Sequence, residues 1–220
     1  MSPSRFTHEP VLNRPAEART PAPNADAHLR ETTLHSDQVY KGRFLDVRRD
    51  IVSLPDAGQA SREYIVHPGA VMVIPLLDDG RLVMERQWRH PVGRIMLEFP
   101  AGKLEPGEAP LTCGMRELAE ETGYRAAQWA RAAITHNAIA YSTEGIEIWF
   151  ARGLTLGPQQ LDVGEFLDVV SASQEELEAL AGAAELTDAK TLVGLMWLQN
   201  WRLGRWGIQW QAAPAPSPGR

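Results

Sequence analysis

The chain has 220 residues, of which 44% are hydrophobic and 23% charged, and its formal net charge is −6. These values are typical of a globular protein that buries a core, as one large domain or a domain with an appendage. The negative charge disfavours nucleic acid as the main partner, and no apolar run reaches the roughly 18 residues of a membrane span. A small anionic substrate stays possible, because bound cations can invert the local field.

The number of cysteines and the N-terminal sequence indicate the cellular compartment of the protein. Cys113 is the only cysteine, which excludes an intrachain disulfide and disfavours a zinc cluster. The first residues lack the continuous apolar segment of a secretory signal. We therefore expect a cytoplasmic protein with no membrane partner.

The two ends of the chain differ in composition from its body. Residues 1–28 contain five prolines among small, polar and charged residues, and residues 211–220 are rich in Ala and Pro. Neither segment has a helical or strand period, so both are expected to be flexible. The body then divides into an antiparallel strand region, 29–67, and a main domain, 68–210.

Short strands are predicted first, followed by one helix. The predicted strands are 62–66, 70–77, 81–86 and 95–99, the second of them a nearly continuous apolar run. A helix is predicted at 110–122, because Pro110 suits a first helical turn and Gly123 suits a C-terminal cap.

The second half of the body predicts more strands and then two helices. The strands are placed at 130–135, 146–151 and 166–170. Ser173-Gln-Glu-Glu176 is a capping box that opens a short helix, and a strongly apolar helix follows at 188–201. This order predicts an α/β (α+β) fold, a sandwich of mixed sheets with helices packed outside. Trp197 and Trp201 on the last helix are interpreted as core or interface residues.

A cluster of carboxylates on the first helix predicts a metal site. Glu117 and Glu121 are four residues apart and share one helical face, which Glu120 flanks. Like charges at this spacing destabilise a helix by a few tenths of a kcal/mol, so a compensating charge is expected. Mg²⁺ is the natural candidate because it takes oxygen ligands and keeps several waters. A bare Glu-x-x-Glu-Glu would more often be a solvated acidic face.

The residues around this cluster complete a longer pattern. Gly102, Glu108 and the run from Arg116 to Tyr124 (Arg-Glu-Leu-Ala-Glu-Glu-Thr-Gly-Tyr) stand at the spacing of the Nudix box, which the segment resembles. Seven fixed residue types give a chance match on the order of 10⁻⁹ per start point. The resemblance favours a Nudix hydrolase over a solvated acidic face.

The Nudix resemblance implies a fold, a cofactor and residue roles. Nudix hydrolases have an α/β/α sandwich in which glutamates hold Mg²⁺ or Mn²⁺ against a substrate diphosphate. By this resemblance Glu117, Glu121 and Glu120 are metal ligands, and Glu121 and Arg116 belong to the catalytic group. The resemblance makes Arg116 and Glu108 orienting residues that pair with each other, and Gly102, Glu108 and Gly123 the structural part of the box.

More of the chain, from about residue 30 to 203, is similar to the ADP-ribose pyrophosphatase branch of this superfamily. Arg86-Gln87-Trp88-Arg89 and Leu97-Glu98-Phe99-Pro100-Ala101-Gly102 resemble its "RQxR … LExPAG" signature. This implies that Arg89, Glu98 and Arg86 bind the substrate and that the Ala101 carbonyl is a metal ligand. For Arg86 an exposed strand end is an equal alternative.

Two further glutamates are similar to residues of that branch. Glu144 ends a Ser-x-Glu segment that would contact the substrate or the metal, and Glu165 lies in an acidic loop whose glutamate would activate water. The resemblance therefore implies that Glu165 is the general base, although the two roles could be exchanged and Glu165 could be a surface carboxylate. The segment Thr187–Thr191 is interpreted as structural.

The expected reaction is Mg²⁺-dependent hydrolysis of ADP-ribose to AMP and ribose 5-phosphate. The branch also implies a homodimer in which the N-terminal strands contribute to the partner's site. One departure is that residues 136–141 lack the proline-rich segment usual in this branch. Two alternatives stay open: a hydrolase of another nucleoside diphosphate sugar such as GDP-mannose, and a non-catalytic Nudix module that senses a nucleotide.

Overall fold

The computed structural model describes residues 26–214. Most of the expected N-terminal arm, residues 1–25, and the end of the expected tail, residues 215–220, lie outside the described residues. The described chain divides into a smaller unit, 26–37 with 49–62, and a larger unit, 38–48 with 63–214. None of the helices between residues 26 and 214 combines the length and the apolar character needed to cross a membrane.

The N-terminal region forms an antiparallel three-stranded sheet, as the sequence predicted. A short 3-10 helix, Ala27–Leu29, precedes its strands, which pair in the order β1-β2-β3: β1 (Thr32–Lys41), β2 (Asp46–Ser53) and β3 (Gln59–Ile65). Every residue of the edge strand β1 is exposed. In the larger unit, hydrogen bonds from Gln38 and Lys41 lower the pKa of Asp46 to about 2.

A second sheet of eight strands forms the centre of the larger unit. Its order is β10-β5-β4-β9-β8-β11, with β6 paired to β5 and β7 paired to β4. The strands are β4 (Ala70–Leu76), β5 (Leu82–Arg89), β6 (Arg94–Glu98), β7 (Ala101–Lys103), β8 (Tyr124–Thr135), β9 (Ile146–Leu156), β10 (Leu167–Ala172) and β11 (Gln211–Ala212). The sheet is mixed because β4 and β9 are parallel, whereas the other pairs are antiparallel.

The central strand β4 is buried along its whole length, which explains its continuous apolar sequence. Its side chains alternate between two cores. Val71 and Val73 pack in one core with Cys113 and Leu118 of the first helix, whereas Met72 and Ile74 belong to the other.

Three helices cover the two faces of this sheet: α1 (Pro110–Thr122), α2 (Gln174–Gly182) and α3 (Ala189–Arg202). Core contacts place α1 on one face and both α2 and α3 on the opposite face, which gives the expected α/β/α sandwich. The predicted caps are present: Gly123 is left-handed with φ 77°, and Ser173 and Glu176 form the capping box of α2. Trp197 and Trp201 pack against the core, as interpreted from the sequence.

Predictions about three strands differ from the structure. Strand β9 ends at Leu156 rather than at residue 151. Strand β8 begins at Tyr124 rather than at residue 130, because residues 125–128 are small or polar and give no strand signal, yet they pair with β9. The tail was expected to be unstructured from residue 211, yet Gln211–Ala212 forms the edge strand β11 on β8. Trp210 packs against the core just before β11, which brings that backbone to the sheet edge.

Candidate active site

A cavity of about 470 Å³ opens in the larger unit beside the end of the mixed sheet. Its lining comes from the loop after β1, strands β5 and β7, helix α1, the loop before β9, the loop before β10 and the start of α3. The lining residues include Phe44, His67, Gln87, Arg89, Ala101, Gly102, Lys103, Glu117, Glu121, Asn137, Glu144, Asp162, Glu165, Asp188 and Lys190. Glu117 and Glu121 of the Nudix box therefore meet Arg89 and Ala101 of the "RQxR … LExPAG" segments in one place.

Gly102 and Glu117 are in close contact across the cavity wall. A β-carbon built on Gly102 would lie 1.8 Å from Cδ of Glu117, which no real side chain tolerates. The glycine therefore makes the room in which the Glu117 carboxylate lies. Burial raises the pKa of Glu117, and the neighbouring Arg116 acts in the opposite direction.

Glu121 is 5% exposed and lies under the cavity. Its Oε2 accepts a hydrogen bond of 3.0 Å from the Ala101 backbone N–H, which ties α1 to β7. Its carboxyl group also pairs with that of Glu85, a residue of β5 that is 2% exposed. Burial, followed by the charge of Glu85, raises the pKa of Glu121.

Arg116 ties the loop of the box to the helix, as the resemblance implied. Its Nε and Nη2 donate to the two carboxylate oxygens of Glu108, each at 2.9 Å. Its Nη1 donates to Glu117 at 2.8 Å and to Glu120 at 3.1 Å. Hydrogen bonding to Arg116 lowers the pKa of Glu108. Glu120 itself lines a separate groove between α1 and β8 and does not line the cavity.

The donor set at this end of the cavity fits a hard divalent cation. Glu85 Oε1 is buried and makes no hydrogen bond with any described residue, and it lies next to Glu121. Within residues 26–214, no three His, Cys, Asp or Glu side chains form a preassembled metal cluster. The Glu117 and Glu121 carboxylates that line the cavity suit Mg²⁺, which needs only one or two carboxylates and keeps several waters. Glu117, Glu121 and the Ala101 carbonyl are the groups that would hold it.

A charge network forms another part of the cavity. Arg89 donates to both oxygens of the buried Glu98 through Nε and Nη2, at 2.6 and 2.9 Å. Lys190 donates to Glu98 and, at 3.0 Å, to Asp188. Burial acts to raise the pKa of Glu98, but Arg89 and Lys190 outweigh it and hold the pKa below its usual value. Glu98 thus orients Arg89 and is already fully engaged by protein groups.

Both glutamates considered as general base line the cavity. Glu165 Oε1 accepts a hydrogen bond of 3.1 Å from Gln87 Nε2. Glu144 Oε1 lies 3.5 Å from His67 Nε2, while His67 Nδ1 accepts a hydrogen bond from the Gly69 N–H. Burial lowers the pKa of His67, while the charge of Glu144 acts in the opposite direction.

Arg86 lies apart from these residues. Successive side chains of a strand point to opposite faces, and Arg86 forms an exposed pair with Asp168, 3.4 Å apart, rather than lining the cavity. This position agrees with the alternative interpretation of Arg86 from the sequence, an exposed strand end. We therefore leave Arg86 out of the proposed site.

Sequence reasoning gave no role to several residues of the site, among them Glu85, Gln87, Lys190 and His67. Glu85 and Gln87 alternate with Arg89 on one face of β5, so strand periodicity could have signalled them. Lys190 had been grouped with a structural helix start, yet it lines the cavity. His67 carried no signal, since its partner Glu144 is distant in sequence.

Comparison with known proteins decides the family. Residues 66–192 match the NUDIX domain, and residues 31–65 match the nucleoside diphosphate sugar hydrolase N-terminal domain. The chain belongs to the Nudix hydrolase family. Its box is the segment that runs from Gly102 to Tyr124.

Several Nudix relatives match most of the chain. It is 35% identical to the ADP-ribose pyrophosphatase of Bacillus subtilis over 78% of this chain and 94% of the relative. It is 34% identical to the methanol dehydrogenase activator of Bacillus methanolicus over 77% and 92%. A crystal structure titled as an ADP compounds hydrolase superposes with a TM-score of 0.72 at 24% identity, covering 80% of this chain and 97% of the other, which supports the fold.

Proposed function

We propose that this Nudix hydrolase cleaves the diphosphate of ADP-ribose to give AMP and ribose 5-phosphate, with Mg²⁺ as cofactor and Mn²⁺ as a possible substitute. The observation that carries the proposal is the cavity in which Glu117 and Glu121 of the box lie with Arg89 and Lys190. The 35% identity to an ADP-ribose pyrophosphatase over 94% of its length supports the choice of substrate.

The charges of the cavity suit a diphosphate. Arg89 is held by Glu98 through Nε and Nη2, which leaves Nη1 for an anionic oxygen of the substrate. Glu117 and Glu121 would hold the metal together with the Ala101 carbonyl. When bound, the divalent cation neutralises phosphate charge and lowers the pKa of a coordinated water.

The reaction needs one proton acceptor for the attacking water. In this proposal Glu165 accepts that proton while the water oxygen forms a bond to phosphorus and the bridging P–O bond breaks. The two phosphate products then leave as AMP and ribose 5-phosphate. Glu144, held opposite His67, contacts the substrate or the metal. Little covalent chemistry is required of the protein, so positioning and electrostatics dominate.

A substrate panel at fixed Mg²⁺ tests this function: ADP-ribose, GDP-mannose, ADP-glucose, NADH and diadenosine polyphosphates, with products separated by chromatography. We expect the highest kcat/KM for ADP-ribose, with AMP as product. As a matched pair, Glu121→Gln removes a cavity carboxylate, whereas Glu178→Gln changes a carboxylate on α2 that accepts a hydrogen bond from Gln174 and lies outside the cavity. Loss of activity in both variants, or in neither, would contradict the assigned site.

Another nucleoside diphosphate sugar is the second candidate. Asn137 lines the cavity and belongs to residues 136–141, which lack the proline-rich segment expected for the ADP-ribose branch. Its amide can both donate and accept hydrogen bonds to sugar hydroxyls. A higher kcat/KM for GDP-mannose or ADP-glucose would favour this candidate. Binding of nucleotides without any turnover would instead favour the non-catalytic sensing module.

We also propose a cytoplasmic homodimer that uses the N-terminal sheet. The edge strand β1 is exposed throughout and presents the apolar side chains of Leu34, Val39 and Tyr40. Exposed edge strands with apolar side chains tend to pair with another chain. Sedimentation equilibrium should therefore show a dimer, and Leu34→Glu with Tyr40→Glu should weaken it. A monomeric wild type would contradict the proposal.

A further inference from the structure

The pairing of β10 with β5 places Gln87 beside the proposed general base. Gln87 is directly opposite Leu167, the first residue of β10. Glu165 precedes Leu167 by two residues, so the two side chains are close together. Its Nε2 donates a hydrogen bond of 3.1 Å to Glu165 Oε1. Both side chains line the cavity that contains Glu117 and Glu121.

The other oxygen of Glu165 is bound by its own turn. Glu165 Oε2 accepts from the Asp162 backbone N–H at 3.4 Å, and the Glu165 N–H donates to the Asp162 carbonyl at 3.0 Å. Gly164 closes this turn with a left-handed φ of 90°. Gln87 thus supplies the hydrogen bond that joins the Glu165 carboxylate to the sheet.

The apolar residues on either side of Glu165 are exposed and do not pack the turn against the core. Val163 and Phe166 are 108% and 82% exposed. Segments with few buried apolar contacts open at a low free-energy cost. The orientation of the Glu165 carboxylate therefore depends on a polar bond more than on core packing.

The chemistry of an amide suits this task. A neutral N–H can orient a carboxylate without the full positive charge that would weaken it as a proton acceptor. Arg89, the next residue on the same face of β5, behaves differently from Gln87. It binds Glu98 with a charged guanidinium and lowers the pKa of that carboxyl.

We propose that Gln87 is a positioning residue that holds the Glu165 carboxylate towards the attacking water. The inference rests on the proposed function, in which Glu165 accepts the proton of that water. Gln87 itself needs no contact with the reacting atoms. Its loss should therefore lower turnover more than substrate affinity.

The test compares kcat and KM for ADP-ribose hydrolysis at saturating Mg²⁺ in wild type, Gln87→Met, Glu165→Gln and the double variant. Met has the length of Gln but donates no hydrogen bond, so kcat should fall about tenfold or more while KM stays within about twofold. In the Glu165→Gln background the same change should cost nothing further, because the group it orients no longer accepts a proton. A merely structural role would make the two losses add.

Gln128→Met is the matched control, since Gln128 is an exposed residue of β8 that bonds Arg152 away from the cavity. Gln87→Thr, a strand-forming residue too short to reach Glu165, repeats the test if Gln87→Met does not fold. A wild-type kcat in the Gln87 variants, a rise in KM alone, or additive losses would overturn the inference.

The outcomes distinguish a failure of this inference from a failure of the proposed hydrolase function. If the wild type hydrolyses none of the panel, the proposed function fails and the inference fails with it. If the wild type is active but Glu165→Gln keeps its kcat, the base assignment is wrong and Gln87 has no base to position. If Glu165→Gln loses activity and Gln87→Met does not, the inference alone is wrong.

Discussion

Gly102 lies directly against the carboxylate of Glu117, so that a β-carbon at residue 102 would stand 1.8 Å from Cδ and 1.8 Å from Oε1 of that glutamate. The two residues come from different elements, β7 and α1. Their contact explains in steric terms why a glycine precedes the helix that bears the carboxylates.

Gly102→Ala should remove most of the hydrolase activity while the protein still folds. The added methyl group displaces the Glu117 carboxylate, and a misplacement of about 1 Å at a reacting centre can cost about 100-fold in rate. The measurement is kcat as a function of Mg²⁺ concentration, with circular dichroism to follow the fold. Gly182→Ala is the control, because a β-carbon there meets nothing within 4 Å. Equal rates for the two variants would show that the contact has no catalytic consequence.

Glu121→Gln should abolish most turnover and also the stabilisation of the fold by Mg²⁺. A ligand that binds only the folded state raises its stability by mass action, so wild-type Tm should rise with Mg²⁺ concentration. Burial beside Glu85 already disfavours the charged form of Glu121, so the neutral amide should leave the metal-free protein about as stable as the wild type. Differential scanning fluorimetry across a Mg²⁺ series measures both effects. A variant with the wild-type response to Mg²⁺ would remove Glu121 from the ligand set.

The choice of general base can be decided by two isosteric changes. Glu165→Gln should depress kcat by about 100-fold or more with little change in KM, because general-base catalysis contributes at that scale. Glu144→Gln should act mainly on KM, since Glu144 lies against His67 and is assigned to binding. Steady-state kinetics on ADP-ribose give both parameters. The reverse pattern would exchange the two roles, as the sequence had left possible.

Lys190→Met should destabilise the fold by about 3 kcal/mol, since breaking a buried ion pair costs about 3–5 kcal/mol and Arg89 still compensates Glu98 in part. The effect should depend on pH. The pKa of Glu98 lies below its usual value of 4.5 in the folded state, so its stabilising contribution is present above that pH and is lost as pH falls through the folded pKa.

Urea denaturation at pH 7 and pH 3 measures this difference. The gap in free energy of unfolding between wild type and Lys190→Met should be smaller at the lower pH, because protonation of Glu98 removes the charge that Lys190 compensates. Lys41→Met removes an exposed lysine paired with Asp46 and should change stability little. A gap that grows at low pH would contradict the direction of the Glu98 shift.

Features that depend on neighbours in sequence were predictable. Helix α1 begins at Pro110 and ends before Gly123 as predicted, because a first-turn proline and a left-handed C-cap are local requirements. Glu117 and Glu121 share the predicted face because helical spacing places them there. The same spacing grouped Glu120 with them, but on the helix Glu120 lies on the side of Glu117 opposite to Glu121, and it lines a different groove.

Features that depend on pairing between distant segments were not predictable. Residues 125–128 of β8 and the edge strand β11 have only small or polar side chains, so only their partners in the sheet reveal them. Glu85 and Lys190 reach Glu121 and Glu98 from other elements, and each is buried because that partner is there. Burial of a charge carries no local signal until its partner is known.

The sequence by itself therefore determined the family, the carboxylate helix and the order of the main elements, since these follow from short-range spacing and from the two periods of strand and helix. Only the tertiary structure decided which carboxylates line the cavity, which residue orients Arg89, and that Gln87 bonds Glu165. The reason is physical: strand register and helix packing set distances between residues far apart in the chain, and a hydrogen bond or ion pair depends on those distances to within a few tenths of an ångström.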